Sequence, residues 1–409
     1  MHLQALRLLN FRNYVRLEGS FEPGITILFG ANAQGKTNFL ESLYYLSNAA
    51  ASHARSDRQL IHFDVSEDVI PFARVEATIK RRDGAQQVAL TIGLQNGRLQ
   101  KRIELNGIAK RVHEYVGEIN AVLFLPEDID LIASGPSLRR RYLDTTISQI
   151  DQSYYRALAE YEEVLGQRNA QLKALAERGL RNSEELLAFW DEKLVEAGAY
   201  IILRRQQVIA RLDELAGRIH PELTGYNEFL RLSYLPRLEL GYHASHQLSL
   251  DVGTDLLREG TLLTLQEVQE RFHESLQRRR AEELARAVTV VGPHRDDVRF
   301  LVNEVDMTDY GSRGQQRTSA LTLKLSEVAL ITEKRGDPPI LLLDDVMSEL
   351  DEARRRYMTE MLIEYPQVFL TTTDLDVFTE PFLGRARLLH VEQGRHREVD
   401  QAQKKRADS

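Results

Sequence analysis

The 409-residue chain contains no cysteine, which excludes disulfides, thiol catalysis, zinc ribbons and iron–sulfur clusters and fits a reducing cytoplasm. Long apolar runs are missing too. The longest, such as Ile340 to Leu343, fall far short of the ~18 residues a membrane-spanning helix needs. The amino terminus alternates apolar and basic residues, like a strand rather than a secretion signal. Positive charge is not in excess: 53 Lys and Arg face 61 Asp and Glu, a net charge of -8, so a nucleic-acid contact has to come from local clusters. Candidates are Lys80-Arg81-Arg82, Lys101-Arg102, Lys110-Arg111, Arg139-Arg140-Arg141 and Arg278-Arg279-Arg280, each of which reads first as a solvated face. No internal repeat is visible, and the polar tail 401–409 is expected to be disordered.

What the chain does have is a phosphate loop. Gly30-Ala31-Asn32-Ala33-Gln34-Gly35-Lys36-Thr37 fits the pattern in which glycines let successive backbone N–H groups turn inward at the positive end of a following helix. Lys36 supplies a charge between the β- and γ-phosphates of ATP, and Thr37 offers its hydroxyl to Mg²⁺. The flanks agree: ITILF at 25–29 is an apolar strand, and Phe39, Leu40, Leu43, Tyr44 and Leu46 recur at helical spacing. Residues 72–105 alternate like strands of an antiparallel sheet, with Asp83-Gly84 and Asn96-Gly97 as turns. From Pro136 the pattern becomes helical, returning to strand and turn at VTVVGPHRDDVRFLV. The fold expected is α/β: a P-loop mixed sheet plus an antiparallel β-sheet, forming an ATPase built from both ends of the chain and carrying an inserted, mainly helical lobe. Its parts are an N-terminal ATPase segment 1–137, the helical lobe 138–287 and a C-terminal ATPase segment 288–400.

A phosphate loop needs a second carboxylate at the end of a buried strand, and Ile340-Leu341-Leu342-Leu343-Asp344-Asp345 provides it. Asp344 is placed to hold Mg²⁺ through water, and Asp345 to orient or deprotonate the attacking water. Ser312-Arg313-Gly314-Gln315 opens another helix and forms a second anion-binding N-terminus. One ATP already has its cradle, so this loop is expected to act in trans, on nucleotide held by another copy. The run His294-Arg295-Asp296-Asp297 suggests metal or base chemistry, but adjacent side chains diverge, and a structural turn is at least as good a reading.

The order of phosphate loop, Ser-Arg-Gly-Gln signature, Asp-Asp strand end, Ser348-Glu349-Leu350-Asp351 and Thr371-Thr372-Thr373-Asp374 resembles the ABC-type ATPase heads of the SMC superfamily, and within it the RecF family. Supporting stretches are Asn10 to Tyr14, Ser52-His53 with Arg55, Phe124 to Asp128, Arg140 to Asp144 and Gly292 to Asp297. The resemblance implies that Arg12 and Asn13 contact the nucleotide, and that Ser312, Gly314 and Gln315 engage a partner's γ-phosphate. It further implies that Asp351 links two active sites across a dimer and that Thr373 occupies the place of a γ-phosphate-sensing His. Asp345 replaces the superfamily's usual Glu and Thr373 its His, and the two substitutions together imply slow hydrolysis; no Gln follows Leu125 as the usual lobe-coupling residue. The implied function is an ATP-dependent homodimer on gapped or junction DNA, working with RecO and RecR to load RecA. The DNA contacts expected are Arg139 and Arg140. The rival reading is an SMC-like DNA tether in which ATP is mainly a structural ligand.

Overall fold

The structure, a computed structural model, describes residues 1–51, 56–63, 71–81, 84–95, 98–178, 183–238 and 263–399. Ser52, His53, Arg55, Arg82, Asp83, Asn96, Gly97 and the tail 401–409 lie outside the described residues. The chain divides into two compact units, Met1–Asp128 with Glu327–Ser409, and Ile129–Ser326.

The first unit holds two six-stranded sheets. One runs in the order Tyr14–Ser20, His2–Phe11, Phe72–Arg81, Gly84–Gln95, Arg98–Leu105, Ile108–Lys110, antiparallel throughout. Its alternating pattern buries Ala73, Val75, Ala77 and Ile79 on one face. The other face carries ion pairs across strands, among them Arg7–Glu18 at 3.0 Å and Arg7–Glu76 at 3.4 Å.

The other sheet runs in the order Arg395–Glu398, Ala386–Glu392, Gly24–Phe29, Gln367–Thr372, Ile340–Asp344, Ala121–Phe124 and is parallel except for the first pair. Its strands Gln367–Thr372 and Ala121–Phe124 are buried at every position, as continuous apolar runs of a covered parallel sheet must be. Helix Lys36–Asn48 sends Phe39, Leu40, Leu43 and Leu46 into one cluster with Leu3, Val75 and Leu90 of the first sheet and Leu342 and Phe369 of the second. The buried Gln367 side chain imitates a strand backbone between the sheets: its Oε1 accepts from Leu3 N–H at 2.7 Å and its Nε2 donates to Leu3 O at 3.0 Å.

The second unit contains helices Pro136–Ile150, Gln152–Arg178, Ser183–Leu223 and Leu265–Arg286, and an antiparallel sheet ordered Val305–Asp306, Asp297–Val302, Leu230–Leu235. The expected insertion 138–287 lies wholly inside it, but the unit runs on to Ser326. The reason is strand pairing: Asp297–Val302 is registered against Leu230–Leu235, which draws residues 288–326 away from the ATPase segment to which the sequence pattern assigned them.

The run at 294–297 is a structural hub, not a metal or base site. Asp296, 1% exposed, accepts from Arg237 N–H at 2.7 Å, from the Tyr234 hydroxyl and from Arg205 Nη1 at 3.1 Å. Arg205 also donates to Tyr154 Oη, Pro293 O and Asp144 Oδ1. His294 sits between the Tyr161 hydroxyl at 2.6 Å and Thr289 O at 3.1 Å. Burial lowers its pKa from 6.5 to about 4, keeping it neutral.

Arg139 requires a correction. It is 5% exposed, and its guanidinium makes a two-pronged pair with Asp297, Nε to Oδ1 at 2.6 Å and Nη2 to Oδ2 at 2.9 Å, while Nη1 donates to Ser134 O. Desolvating an arginine demands such partners, so Arg139 is an internal strut and not a phosphate contact. Arg140 is half-buried and donates Nη1 to Asp296 O at 2.9 Å. Several other basic clusters are also matched by acids, as in Arg81–Glu118, Lys101–Asp57, Arg102–Glu104 and Arg280–Asp191.

Candidate nucleotide-binding and hydrolysis site

The phosphate loop joins strand Gly24–Phe29 to helix Lys36–Asn48 within the first unit. Two of its glycines are fixed by sterics. Gly30 has φ +145 and a Cβ there would lie 2.5 Å from Val391 O; Gly35 has φ +114 and a Cβ would lie 2.6 Å from Asn13 Nδ2. Ala33 is also in the left-handed region at φ +63, so the backbone is wound as an anion cradle requires. Lys36, 7% exposed, donates Nζ to Gly30 O at 2.7 Å and Ala31 O at 2.8 Å, holding its ammonium across the loop's mouth. Desolvation lowers its pKa, against the pull of Asp345 and Asp344.

Asp344 ends the strand Ile340–Asp344. Its Oδ1 accepts from Thr37 Oγ1 at 3.1 Å and from Thr371 Oγ1 at 2.6 Å. Thr371 is its register partner on the neighbouring strand and also accepts from Asp345 N–H at 3.0 Å. One hydroxyl therefore positions both acids. Asp345 turns out of the strand at φ +51, and its Oδ1 is buried with no hydrogen-bond partner. Burial raises its pKa and the Asp344 charge adds to the effect, while Ser348 and Lys36 oppose it. A desolvated carboxylate of raised basicity beside a lysine and a carboxylate–threonine pair is what a general base at a phosphate site requires.

The same residues fit a Mg²⁺ ion. Among the described residues no cluster of three or more His, Cys, Asp or Glu side chains is placed to hold a metal. Thr37 Oγ1 and Asp344 Oδ1, 3.1 Å apart, would offer such an ion a hydroxyl and a carboxylate oxygen, with phosphate and water left to complete its shell.

Asn13 braces the loop, donating Nδ2 to Gln34 O at 3.0 Å and accepting from Asn38 Nδ2 at 2.8 Å. Arg12 is turned elsewhere. At φ +53, its guanidinium pairs with Glu41 through Nε at 2.7 Å and Nη2 at 2.8 Å, fixing it against the loop's own helix. Three braces escaped sequence reasoning. The Tyr14 hydroxyl donates to Gly35 O at 2.8 Å, Gly394 N–H to Gln34 O at 3.0 Å, and Gln393 N–H to Gln34 Oε1 at 2.8 Å. A Gln-Gly pair between two strand-like segments was the available signal for the last two.

Thr373 is exposed just past the strand Gln367–Thr372. Asp351 caps helix Glu352–Ile363, accepting from Arg354 N–H at 2.9 Å and pairing with the Arg354 guanidinium. The signature belongs to the second unit. Ser312, Arg313 and Gly314 are exposed at the start of helix Arg313–Arg335, where Ser312 Oγ accepts from Gln315 N–H at 3.3 Å and Gln315 Oε1 accepts from Ser312 N–H at 3.1 Å. This reciprocal capping box holds the helix start open to solvent.

Residues 2–396 match the sequence profile of the family described as RecF/RecN/SMC N terminal domain. The chain is 39% identical over 406 residues to the DNA replication and repair protein RecF of Herpetosiphon aurantiacus, covering 96% of this chain and 99% of that protein. It is 40% identical over 410 residues to the protein of the same name from Roseiflexus castenholzii, covering 96% and 99%. A solved structure of the recombination mediator protein RecF-ATP in the RecFOR pathway superposes with TM-score 0.82 at 33% identity, covering 98% of each chain. An Smc head domain from Pyrococcus furiosus shares the fold at TM-score 0.51 and 15% identity, covering 100% of this chain and 98% of that one.

Proposed function

The chain belongs to the RecF/RecN/SMC family of ATPase heads, and from that premise we propose that it is an ATP-dependent DNA-binding recombination mediator whose two copies close on DNA and open after slow hydrolysis. The observation that carries the hydrolysis step is the buried, unpartnered Asp345 Oδ1 beside Lys36 and Asp344.

In this reading the loop N–H groups and Lys36 hold the β- and γ-phosphates. Thr37, directly, and Asp344, through water, would hold Mg²⁺, which when bound would neutralise phosphate charge. Asp345 aligns the water and takes its proton. Its side chain is one methylene shorter than the Glu of related heads, and Thr373 has no basic nitrogen, which supports slow turnover. The exposed Ser312, Arg313 and Gly314 and the half-buried Gln315 of one copy complete the γ-phosphate site of the other, and Asp351 links the two sites. Each closure buries two nucleotides, so DNA that favours closure also favours hydrolysis. Gapped or junction DNA, the partners RecO and RecR, the delivery of RecA and a cytoplasmic location belong to the same proposal through the family resemblance.

Native mass measurement of the protein with and without ATP, and with and without gapped DNA, tests this reading. The expected result is a dimer that needs ATP and is enriched by DNA. A protein that stays monomeric with ATP and DNA together overturns it. A dimer that forms with ATP but turns none over supports the tether in which ATP is a structural ligand.

A further inference from the structure

The signature does not stand alone. Its capping box uses Gln315 Oε1 as acceptor for Ser312 N–H at 3.1 Å, which fixes the amide's orientation and turns Nε2 toward Glu228 Oε1 at 2.8 Å. Glu228 follows the 41-residue helix Ser183–Leu223 in a tight turn where Gly225 and Tyr226 have φ +62 and +61 and Tyr226 N–H reaches Pro221 O at 2.7 Å. Its side chain is 22% exposed, with Oε2 lying 3.6 Å from Nε2 of the fully buried His220. His220 Nδ1 in turn meets Thr322 Oγ1 at 2.8 Å, two turns along the signature's own helix.

We infer that Glu228 is a positioning residue for the signature: its carboxylate holds the Gln315 amide, and through the amide oxygen the Ser312 backbone N–H, in the orientation that meets a partner copy's γ-phosphate. The inference rests on the trans-acting signature proposed above. A charge-assisted hydrogen bond is the stronger kind, and here it bears on a helix start that is otherwise exposed. Without it, the Gln315 amide keeps one anchor, the Ser312 N–H, and is free to turn away from the phosphate side, while the Ser312 hydroxyl keeps its bond from the Gln315 backbone N–H. The nucleotide pocket of the same chain lies in the other unit and shares no residue with this contact, so the effect belongs to dimerisation and turnover, not to nucleotide affinity.

Four variants of the full chain test it: Glu228→Ala, Gln315→Glu, the double Gln315→Glu/Glu228→Gln, and Ser312→Arg. Each is measured for nucleotide affinity as a monomer, for ATP-dependent dimerisation by sedimentation, for turnover and for melting temperature. Glu228→Ala should weaken dimerisation by about tenfold or more, the worth of a lost hydrogen bond to a charged group, with nucleotide affinity and melting temperature unchanged. Gln315→Glu retains the cap acceptor but sets two carboxylates against each other, so it should fail as Glu228→Ala does. Adding Glu228→Gln restores a donor–acceptor pair and should recover most of the loss, a rescue that a merely structural role does not produce. Dimerisation of Glu228→Ala at the unsubstituted strength, or absence of rescue in the double variant, overturns the inference. If Ser312→Arg itself leaves ATP-dependent dimerisation intact, it is the trans-acting signature that fails instead.

Discussion

Replacing Gly394 with alanine should damage ATP binding although the residue lies in the hairpin turn between strands Ala386–Glu392 and Arg395–Glu398 and touches no phosphate. Gly394 has φ +69, and a Cβ there would lie 2.5 Å from Asn13 O. The left-handed conformation costs an alanine about 1–2 kcal/mol. The contact is backbone against backbone, so neither side can rotate away, and relieving it adds about 1–3 kcal/mol of overpacking. The displacement has only two directions. If Asn13 moves, its Nδ2 bond to Gln34 O is lost; if the turn moves, the Gly394 and Gln393 bonds to Gln34 are lost. Both release the phosphate loop. Since ~1.4 kcal/mol is a tenfold change in affinity, the expected loss in ATP affinity is about tenfold, measured by titration calorimetry, alongside a lowered melting temperature. Gly336→Ala is the matched control, because Gly336 has φ +73 with nothing within 4 Å of a Cβ and should show the backbone cost alone. Equal stability loss in the two variants, with unchanged ATP affinity in Gly394→Ala, refutes the reasoning.

Asp345→Asn should bind ATP nearly as the parent does but lower turnover by roughly 100-fold or more, the usual worth of a general base, and should accumulate an ATP-bound dimer; phosphate release and sedimentation decide it. Because burial raises the Asp345 pKa, turnover of the unsubstituted protein should decline on acidification at a higher pH than an ordinary carboxylate gives. Arg139→Ala should cost stability by stranding Asp297, on the order of 3 kcal/mol for a broken, largely buried pair, while leaving the slope of log DNA affinity against log salt unchanged; a slope reduced by about one unit would return Arg139 to the phosphate contacts. His294 gives a pH signature of defined sign. Below about pH 6.5 the unfolded chain's imidazole takes up a proton that the folded ring refuses until about pH 4, so its contribution is complete above pH 6.5 and is lost on acidification. That loss amounts to about 3 kcal/mol. In urea unfolding, the stability gap between the parent and His294→Gln should narrow as the pH falls from 6.5 to 4, and a constant gap removes the assigned cause.

Strand Gly24–Phe29, helix Lys36–Asn48 and strand Ile340–Asp344 were legible because each signal is local: an apolar run, a glycine pattern, a period of 3.6. Asp344 and Asp345 could be assigned to the site for the same reason. Thr371 could not be singled out within Thr371-Thr372-Thr373, because only the parallel register that sets it opposite Asp344 distinguishes it from its neighbours. The partners of Arg12 and Arg139 were hidden for the same reason. A guanidinium in a sequence carries no sign of whether Glu41 or Asp297 will claim it.

By itself, the sequence determined the chemistry within reach: a phosphate cradle, a carboxylate-ended strand, a signature at a helix start, and no thiols. These are properties of neighbouring residues. Which long-range partners complete each group was decided only by tertiary structure. The Gly394 turn against the loop, Thr371 against both acids, Glu228 against Gln315 and the 288–326 stretch joined to the helical unit are all pairings between segments remote in the chain. Their energy comes from burial and strand register, and neither exists before the chain has folded.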